Sequence, residues 1–286
     1  MLELFFEFEF VRRTLLVGLL LSISIPLIGI VMVARRTAMM GDALSHTSLA
    51  GVALGLIAGF SPVVGAIVVA VIGAFGIELM RKKFPQYGDM ATAVTLSAGL
   101  GVAVILADLA PSGRSFESYL FGSITAVTQF DVWATSIVFV LVVAASVVFY
   151  GSLQDMVVDP LLARISGTKV QLVNTVFTAL AAVTVALAAK VIGALLVVSL
   201  MVLPVATALI VARSYKQAYL LSIVLGIIYT MLGMTLSYTF DLRPGGAIVV
   251  TAVVGLLIFV GYRAIVKPDR KQSALSDTSA VLSRSA

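Results

Sequence analysis

The sequence predicts an all-α polytopic membrane protein with about nine transmembrane helices. Of its 286 residues, 60% are hydrophobic and only 12% are charged, whereas a soluble domain carries about twice that charged fraction. The mean hydropathy is +1.13. Apolar runs of roughly 20 residues, the length that crosses a bilayer as a helix, follow one another along most of the chain.

Nine apolar segments account for most of the chain, and they have approximate limits 14–34, 39–59, 62–80, 90–109, 131–150, 170–189, 192–212, 218–239 and 245–265. Only the letters "KVI" separate the sixth segment from the seventh, so eight spans with one broken segment stay possible. Residues 114–130 are too mixed in polarity to span, and they predict an interfacial or re-entrant piece.

The spans form one transmembrane domain over residues 1–266. The tail, 267–286, is polar, and we expect it to be disordered. The chain opens with the acidic, aromatic letters "MLELFFEFEFVRR", so we expect no signal peptide, which would begin with a basic region.

The basic residues predict the orientation. Fourteen of the 19 lysines and arginines lie in one set of loops and the tail, and five lie on the opposite side. Cytoplasmic loops carry the excess of basic residues, so we expect the C-terminus in the cytoplasm and, with nine spans, the N-terminus outside.

The longest predicted cytoplasmic loop, about 151–170, contains the letters "DPLLARISG". They predict a short helix with Asp159 as N-cap, Pro160 at the first helical position and Gly167 as its C-terminal stop. The residues leave open whether this is an ordinary loop helix or a docking element for a cytoplasmic partner.

The second segment holds the main candidate site. Asp42 and His46, the only histidine of the chain, are four residues apart and share one face of a helix. An ionised aspartate within a span costs about 2.5–3.5 kcal/mol on insertion scales, so such residues usually face a cavity or a partner. Small residues recur every four positions on another side of the helix and predict close packing, at Ala43, Thr47, Gly51, Gly55 and Gly59.

Three interpretations of this pair stay open. In the first, Asp42 is a first-turn acid favoured by the helix dipole, although a helix start near Thr37 fits this poorly. In the second, the pair forms a structural hydrogen bond. In the third, both residues are ligands on a transport path, because carboxylate and imidazole bind Zn²⁺ and Mn²⁺ well. Two ligands cannot complete a zinc site, so the third interpretation predicts a homodimer with a site on its twofold axis.

Two further acids have structural interpretations. Glu78 lies close to Arg81 and Lys82 in the sequence, so we expect it to form a structural ion pair. Asp89 precedes the fourth segment and predicts a first-turn acid. The chain has no cysteine, which excludes disulfides and thiolate sites, and we expect no nucleic-acid partner, since the positive charge lies in the loops of a membrane protein.

Several ordered motifs resemble one known family. They are "GDALSHTSLAGVALG" from residue 41, "GDMATAVTLSAGLGVAVIL" from 88, "ESYLFGSITAVT" from 117, "DPLLARISGTKV" from 159 and "VIGALLVVSLMVLPVATALIVAR" from 191. Together they resemble the permease subunits of ABC transporters that take up zinc, manganese or iron(II) in bacteria. The resemblance runs from about residue 11 to 265.

The resemblance implies a type II ABC-importer-like permease in the bacterial cell membrane. It implies a dimer of permeases, two cytoplasmic ATPase subunits and an extracytoplasmic metal-binding protein or lipoprotein. The family's metal residues fall on Asp42 and His46, and its docking motif on Asp159, Pro160, Ala163 and Gly167. The letters "SLAG" at 48–51, where relatives often have Leu-Pro-Gly, are more similar to the zinc branch.

The chain itself lacks a Gly-x-x-x-x-Gly-Lys-Ser/Thr phosphate loop, so we expect a transport subunit whose ATP is hydrolysed by a separate chain. We expect no permanently bound cofactor, only a transported divalent metal. A secondary metal or proton transporter is the first rival, although no repeat typical of such folds is evident. An intramembrane enzyme is the second, but Ser45 and His46 are adjacent and point about 100° apart on a helix, which disfavours a nucleophile–base pair.

Overall fold

The computed structural model describes residues 9–109, 113–123, 127–158, 163, 165 and 167–266. This part of the chain is built from helices, with no strand, as the sequence predicted. The α-helices are α1 Glu9–Ala34, α2 Met39–Ala58, α3 Pro62–Lys83, α4 Gly88–Leu109, α5 Gly113–Phe121, α6 Gln129–Val148, α7 Tyr150–Val158, α8 Val170–Ala188, α9 Val197–Val211, α10 Tyr215–Phe240 and α11 Pro244–Val266.

Nine of these helices correspond to the nine predicted segments, and seven are long and apolar enough to cross a membrane by length and composition. The other two are α2, which carries the polar residues of the candidate site, and α9, which has only 15 residues. The prediction for the seventh segment began at 192, whereas α9 begins at Val197. A π-helix, Ala189–Gly193, takes up the difference and separates α8 from α9.

The segment 114–130 forms no spanning helix in its described part. It contributes the nine-residue α5, and the described residues 122–123 and 127–128 that follow it are not helical. The backbone of this piece is bonded to the π-helix: the Ser123 amide donates to the Lys190 carbonyl at 3.2 Å, and the Ala194 amide donates to the Tyr119 carbonyl at 2.9 Å. Regular α-helical hydrogen bonding is interrupted between α8 and α9, and the piece that contains α5 packs at this interruption. There the two stretches of backbone satisfy each other's amide and carbonyl groups.

Helix α2 is enclosed by α3 and α4. Its small residues meet backbone on both neighbours: a Cβ built on Gly51 would lie 2.6 Å from the carbonyl carbon of Gly65, and one on Gly99 would lie 2.9 Å from the Thr47 nitrogen. Side chains larger than hydrogen do not fit at such crossings. The predicted stripe of small residues is thus the surface that positions the candidate site.

We expect Gly51→Ala to destabilise the protein by about 1–3 kcal/mol, because its methyl group would overlap the backbone of α3. Gly76→Ala is the matched control: it also lies in a helix, and nothing lies within 4 Å of its built Cβ. Alanine there should stabilise by about 0.5–1 kcal/mol through helix propensity. Thermal unfolding in detergent measures both, and equal shifts of the same sign would contradict the packing described.

The described residues at the end of the predicted docking helix have the geometry of a helix C-terminus. Ala163 and Ile165 are helical, Gly167 has φ +84°, and the Thr168 amide donates to the Ala163 carbonyl at 3.1 Å. A residue with left-handed φ followed by this bond closes a helix C-terminus. Asp159 and Pro160, the expected start of this helix, and the tail 267–286 lie outside the described residues.

Candidate functional site

Asp42 and His46 lie near the start of α2. The helix begins at Met39, two residues later than the expected start near Thr37, and Ala38 precedes it without a side-chain cap. Asp42 therefore stands in the first turn, where the helix dipole favours a carboxylate. The first-turn interpretation fits better than the sequence suggested, and it is compatible with a ligand role.

The two side chains are close without being bonded. The Nε2 atom of His46 is 3.6 Å from Oδ1 of Asp42, which is beyond hydrogen-bond distance. Their exposures differ: the Asp42 side chain is 36% exposed and the His46 side chain 11%. The structural hydrogen bond considered from the sequence is therefore absent in this geometry, and the carboxylate borders open space beside a buried imidazole.

The second ring nitrogen of His46 has no partner. Its Nδ1 atom is buried and makes no hydrogen bond within the described part of the chain. Buried polar atoms are nearly always bonded, so an orphaned one calls for an explanation. An imidazole with one nitrogen close to a carboxylate and the other unused can accept a metal ion or a proton.

One chain does not supply a complete metal site. No group of three or more histidine, cysteine, aspartate or glutamate side chains is close enough to hold a metal ion among the described residues. Zinc sites in proteins use at least three protein ligands. Among the described residues, Asp42 and His46 by themselves therefore do not make up such a site.

A cavity of about 450 Å³ opens beside the start of α2. It includes Met40, two residues before Asp42, and its polar lining is Arg35, Glu78, Arg81, Lys82, Gln171, Asn174 and Thr178. Glu78 is held 3.5 Å from the Lys82 ammonium and accepts a 3.0 Å hydrogen bond from Thr175. This confirms the ion pair expected for Glu78, with Lys82 rather than Arg81 as its partner.

Arg35 contributes positive charge to the lining of this cavity. Burial, and then the nearby guanidinium of Arg81, lowers the pKa of Arg35 to about 10, while Glu78 opposes the shift. The group stays protonated at neutral pH, because that pKa is still well above 7. Asp89 lies in the first turn of α4, as predicted, at the edge of an adjoining cavity.

At the other end of the bundle, a buried ion pair was missed from the sequence. Lys190 donates to Asp131 at 2.6 Å, and the side chains are 12% and 6% exposed. Asp131 also accepts from the backbone amide and hydroxyl of Thr128, in a capping box that begins α6. The spacing Thr128-x-x-Asp131 could have signalled the cap, but nothing local points to Lys190, 59 positions away.

Tyr119 of α5 lies beside this pair. Burial, and then the Asp131 carboxylate, raises the pKa of Tyr119 to about 12. The phenol is therefore neutral at physiological pH. Together with the backbone bonds to the π-helix, these contacts join α5, α6 and the α8–α9 break at one point.

Comparison with known proteins gives one family. Residues 7–263 match the model of the ABC 3 transport family. The chain is 33% identical over 258 residues to a "Probable metal transport system membrane protein" of Treponema pallidum, covering 89% of this chain and 96% of that one. It is 31% identical to the "Manganese import system permease protein ScaB" of Streptococcus gordonii, covering 88% and 91%.

A solved structure agrees with the fold. A chain of "PsaBC from Streptococcus pneumoniae in complex with Fab" superposes with a TM-score of 0.81 at 29% identity, covering 96% of this chain and 98% of that one. The described helices thus follow the architecture of that chain along nearly their whole length.

Proposed function

The chain belongs to the ABC 3 transport family, and on this premise we propose that it is the membrane-spanning permease subunit of an ATP-driven importer of a divalent transition metal. The observation that carries the proposal is the pair Asp42 and His46, with the imidazole buried and its Nδ1 unpartnered. Such a polar pair inside an apolar helix is costly in a membrane, and residues of this kind commonly mark ion pathways.

Two copies of the chain would complete the site. A twofold axis beside α2 brings two carboxylates and two imidazoles together, a four-ligand set suited to Mn²⁺ or Zn²⁺. The partly exposed Asp42 is the side chain available to such a partner. Transport then proceeds by alternating access, with the ion delivered from an extracytoplasmic binding protein and released into the cytoplasm.

Manganese is the first metal to test. The relative from Streptococcus gordonii is named a manganese import system permease protein, and two relatives from Listeria are named manganese transport system membrane proteins. The "SLAG" letters favour zinc by resemblance, and the names offer that metal no support. The same ligand pair accepts both ions, so the choice between them depends on residues around the site.

The docking residues proposed for the ATPase are Asp159, Pro160, Ala163 and Gly167. Ala163 is buried in an apolar cluster with Ile30 and Val31 of α1, Phe177 of α8 and Val205 of α9. A movement of the docking helix would therefore be transmitted to the end of α1. The short loop after α1 leads directly into α2, which carries Asp42. This packing offers a route from ATP binding to the site.

The test is metal accumulation in bacteria that lack their own manganese and zinc uptake permeases. The chain is expressed with its cognate ATPase and binding protein, and cellular Mn²⁺ and Zn²⁺ are measured. We expect Mn²⁺ uptake that disappears when the ATPase carries a substitution of its phosphate-loop lysine. Selective Zn²⁺ uptake would keep the mechanism and change the cargo, whereas uptake that is independent of the ATPase would mean a secondary transporter.

A further inference from the structure

A cavity at the far side of the bundle has no part in the proposed metal path. It measures about 550 Å³ and lies where α9 ends, α10 begins and α11 ends. Its lining includes Ile210, Arg213, Gln217, Leu221, Tyr262 and Arg263, and no acidic residue is among its lining residues. A cavity with two arginines and no counter-charge is suited to an anionic group.

Hydrogen bonds shape this cavity. Arg263 donates from Nη1 to the Ile210 carbonyl at 2.8 Å, which leaves its other guanidinium donors for a ligand. The Arg213 amide donates to the Gln217 side chain at 2.9 Å, and Ser214 caps α10. The positive end of a 26-residue helix therefore faces the same space as the two guanidinium groups.

The cavity lies at a membrane surface by the orientation proposed above, on the cytoplasmic side. Four basic residues occur within nine positions at the end of the last span, Arg263, Lys267, Arg270 and Lys271. Basic clusters of this kind directly after a span, and basic pockets between helices on that side, bind anionic headgroups. The exposed ring of Tyr262 is of the type that marks the membrane interface.

Apolar surface continues from the cavity along the helices. Val211, Leu220 and Val224 are 43%, 52% and 50% exposed, and they lie within about three turns of Arg213 on α9 and α10. A soluble anion would use only the arginines, but a lipid uses the arginines for its phosphate and this surface for its acyl chains.

We propose that this cavity binds the phosphate headgroup of an anionic phospholipid of the cytoplasmic leaflet, held by Arg213 and Arg263. The inference rests on the orientation predicted from the basic residues, but not on the metal or the ATPase. Bound lipid would add to the exposed hydrogen bond between Arg263 and Ile210, which joins the ends of α9 and α11 at this point.

The test is native mass spectrometry of the purified full chain in neutral detergent, titrated with phosphatidylglycerol or phosphatidylcholine. We expect phosphatidylglycerol to be retained in preference to phosphatidylcholine. Each basic residue at an anionic surface contributes about fivefold in affinity. Arg213→Gln, which leaves the Arg263–Ile210 bond intact, should therefore weaken retention about fivefold, and the Arg213→Gln, Arg263→Gln pair about thirtyfold.

Lys83→Gln is the matched control, because it removes an exposed basic residue on the same side of the membrane outside this cavity. It should change retention less than twofold, and a loss equal to that of Arg213→Gln would overturn the site. Inorganic phosphate at millimolar concentration should not displace the lipid; displacement would mean a free-anion site. Retention that appears only after removal of residues 272–286 would mean that the tail occupies the cavity.

The two proposals fail separately. Lipid retention is measured without metal, ATPase or binding protein, so loss of metal uptake leaves it unchanged. Conversely, intact uptake by a wild-type chain that shows no preference for phosphatidylglycerol would overturn the lipid site alone.

Discussion

Replacing His46 by alanine is expected to abolish metal uptake by the assembled transporter while leaving the chain folded. The imidazole is buried but makes no hydrogen bond through Nδ1 and lies 3.6 Å from Asp42, so its removal breaks no described hydrogen bond. Uptake should fall more than about 100-fold, beyond the loss typical of removing a mere supporting partner of a metal ligand. Asp42→Asn should have a similar effect, since it removes the charge that attracts the cation.

The control for both variants is Ser45→Ala. Ser45 is on the same helix, is fully buried, and its hydroxyl has no hydrogen-bond partner within the described residues. Its replacement should leave uptake and thermal unfolding unchanged. Metal accumulation in the permease-deficient cells, with membrane expression measured for each variant, makes the comparison. Wild-type uptake by a well-expressed Asp42→Asn, His46→Ala double variant would remove both residues from the path.

Replacing Lys190 by methionine is expected to cause the largest loss of stability among single substitutions at charged positions described here. Lys190 and Asp131 are both almost fully buried and 2.6 Å apart. Methionine would leave the carboxylate of Asp131 buried beside only the donors of Thr128. Removing one partner of a buried pair costs about 3–5 kcal/mol.

A double-mutant cycle separates the charge from the packing. Asp131→Asn combined with Lys190→Met should recover part of the loss, because no uncompensated charge remains buried. Arg13→Met is the reference, since Arg13 pairs with Glu9 at the helix surface and exposed pairs contribute only about 0–1 kcal/mol. Thermal unfolding in detergent compares the wild type, each single variant of the cycle, the double variant and Arg13→Met. A Lys190→Met loss as small as that of Arg13→Met would mean that the pair is not held as described.

The positions of the helices follow from local sequence. In a bilayer the backbone amides must be satisfied within the protein, and a helix satisfies nearly all of them within itself. A run of about 20 apolar residues therefore nearly always predicts a membrane-spanning helix. For this reason the limits of the nine segments agree with the helices to within a few residues in most cases. The spacing of Asp42 and His46 is likewise sufficient to place both side chains on one face of a helix.

The ends of helices were less predictable. The expected start near Thr37 was two residues early, because the Thr37 hydroxyl donates back to the Met32 carbonyl at 3.1 Å instead of capping α2. Helix α9, the seventh predicted segment, starts five residues later than predicted, because Gly193 adopts φ +98° and its neighbours bond to α5. In both cases a contact with another part of the chain competes with helix continuation.

The sequence by itself determined the class of the protein, the number of its apolar helices and the pair that is its candidate site, because these depend on composition and on spacing within one turn. Only the tertiary structure decided what surrounds them. The unpartnered Nδ1 of His46, the buried bond between Lys190 and Asp131, and the cavity of Arg213 and Arg263 each depend on burial or on residues far apart in the chain. Such properties arise when helices pack, and no local pattern encodes them.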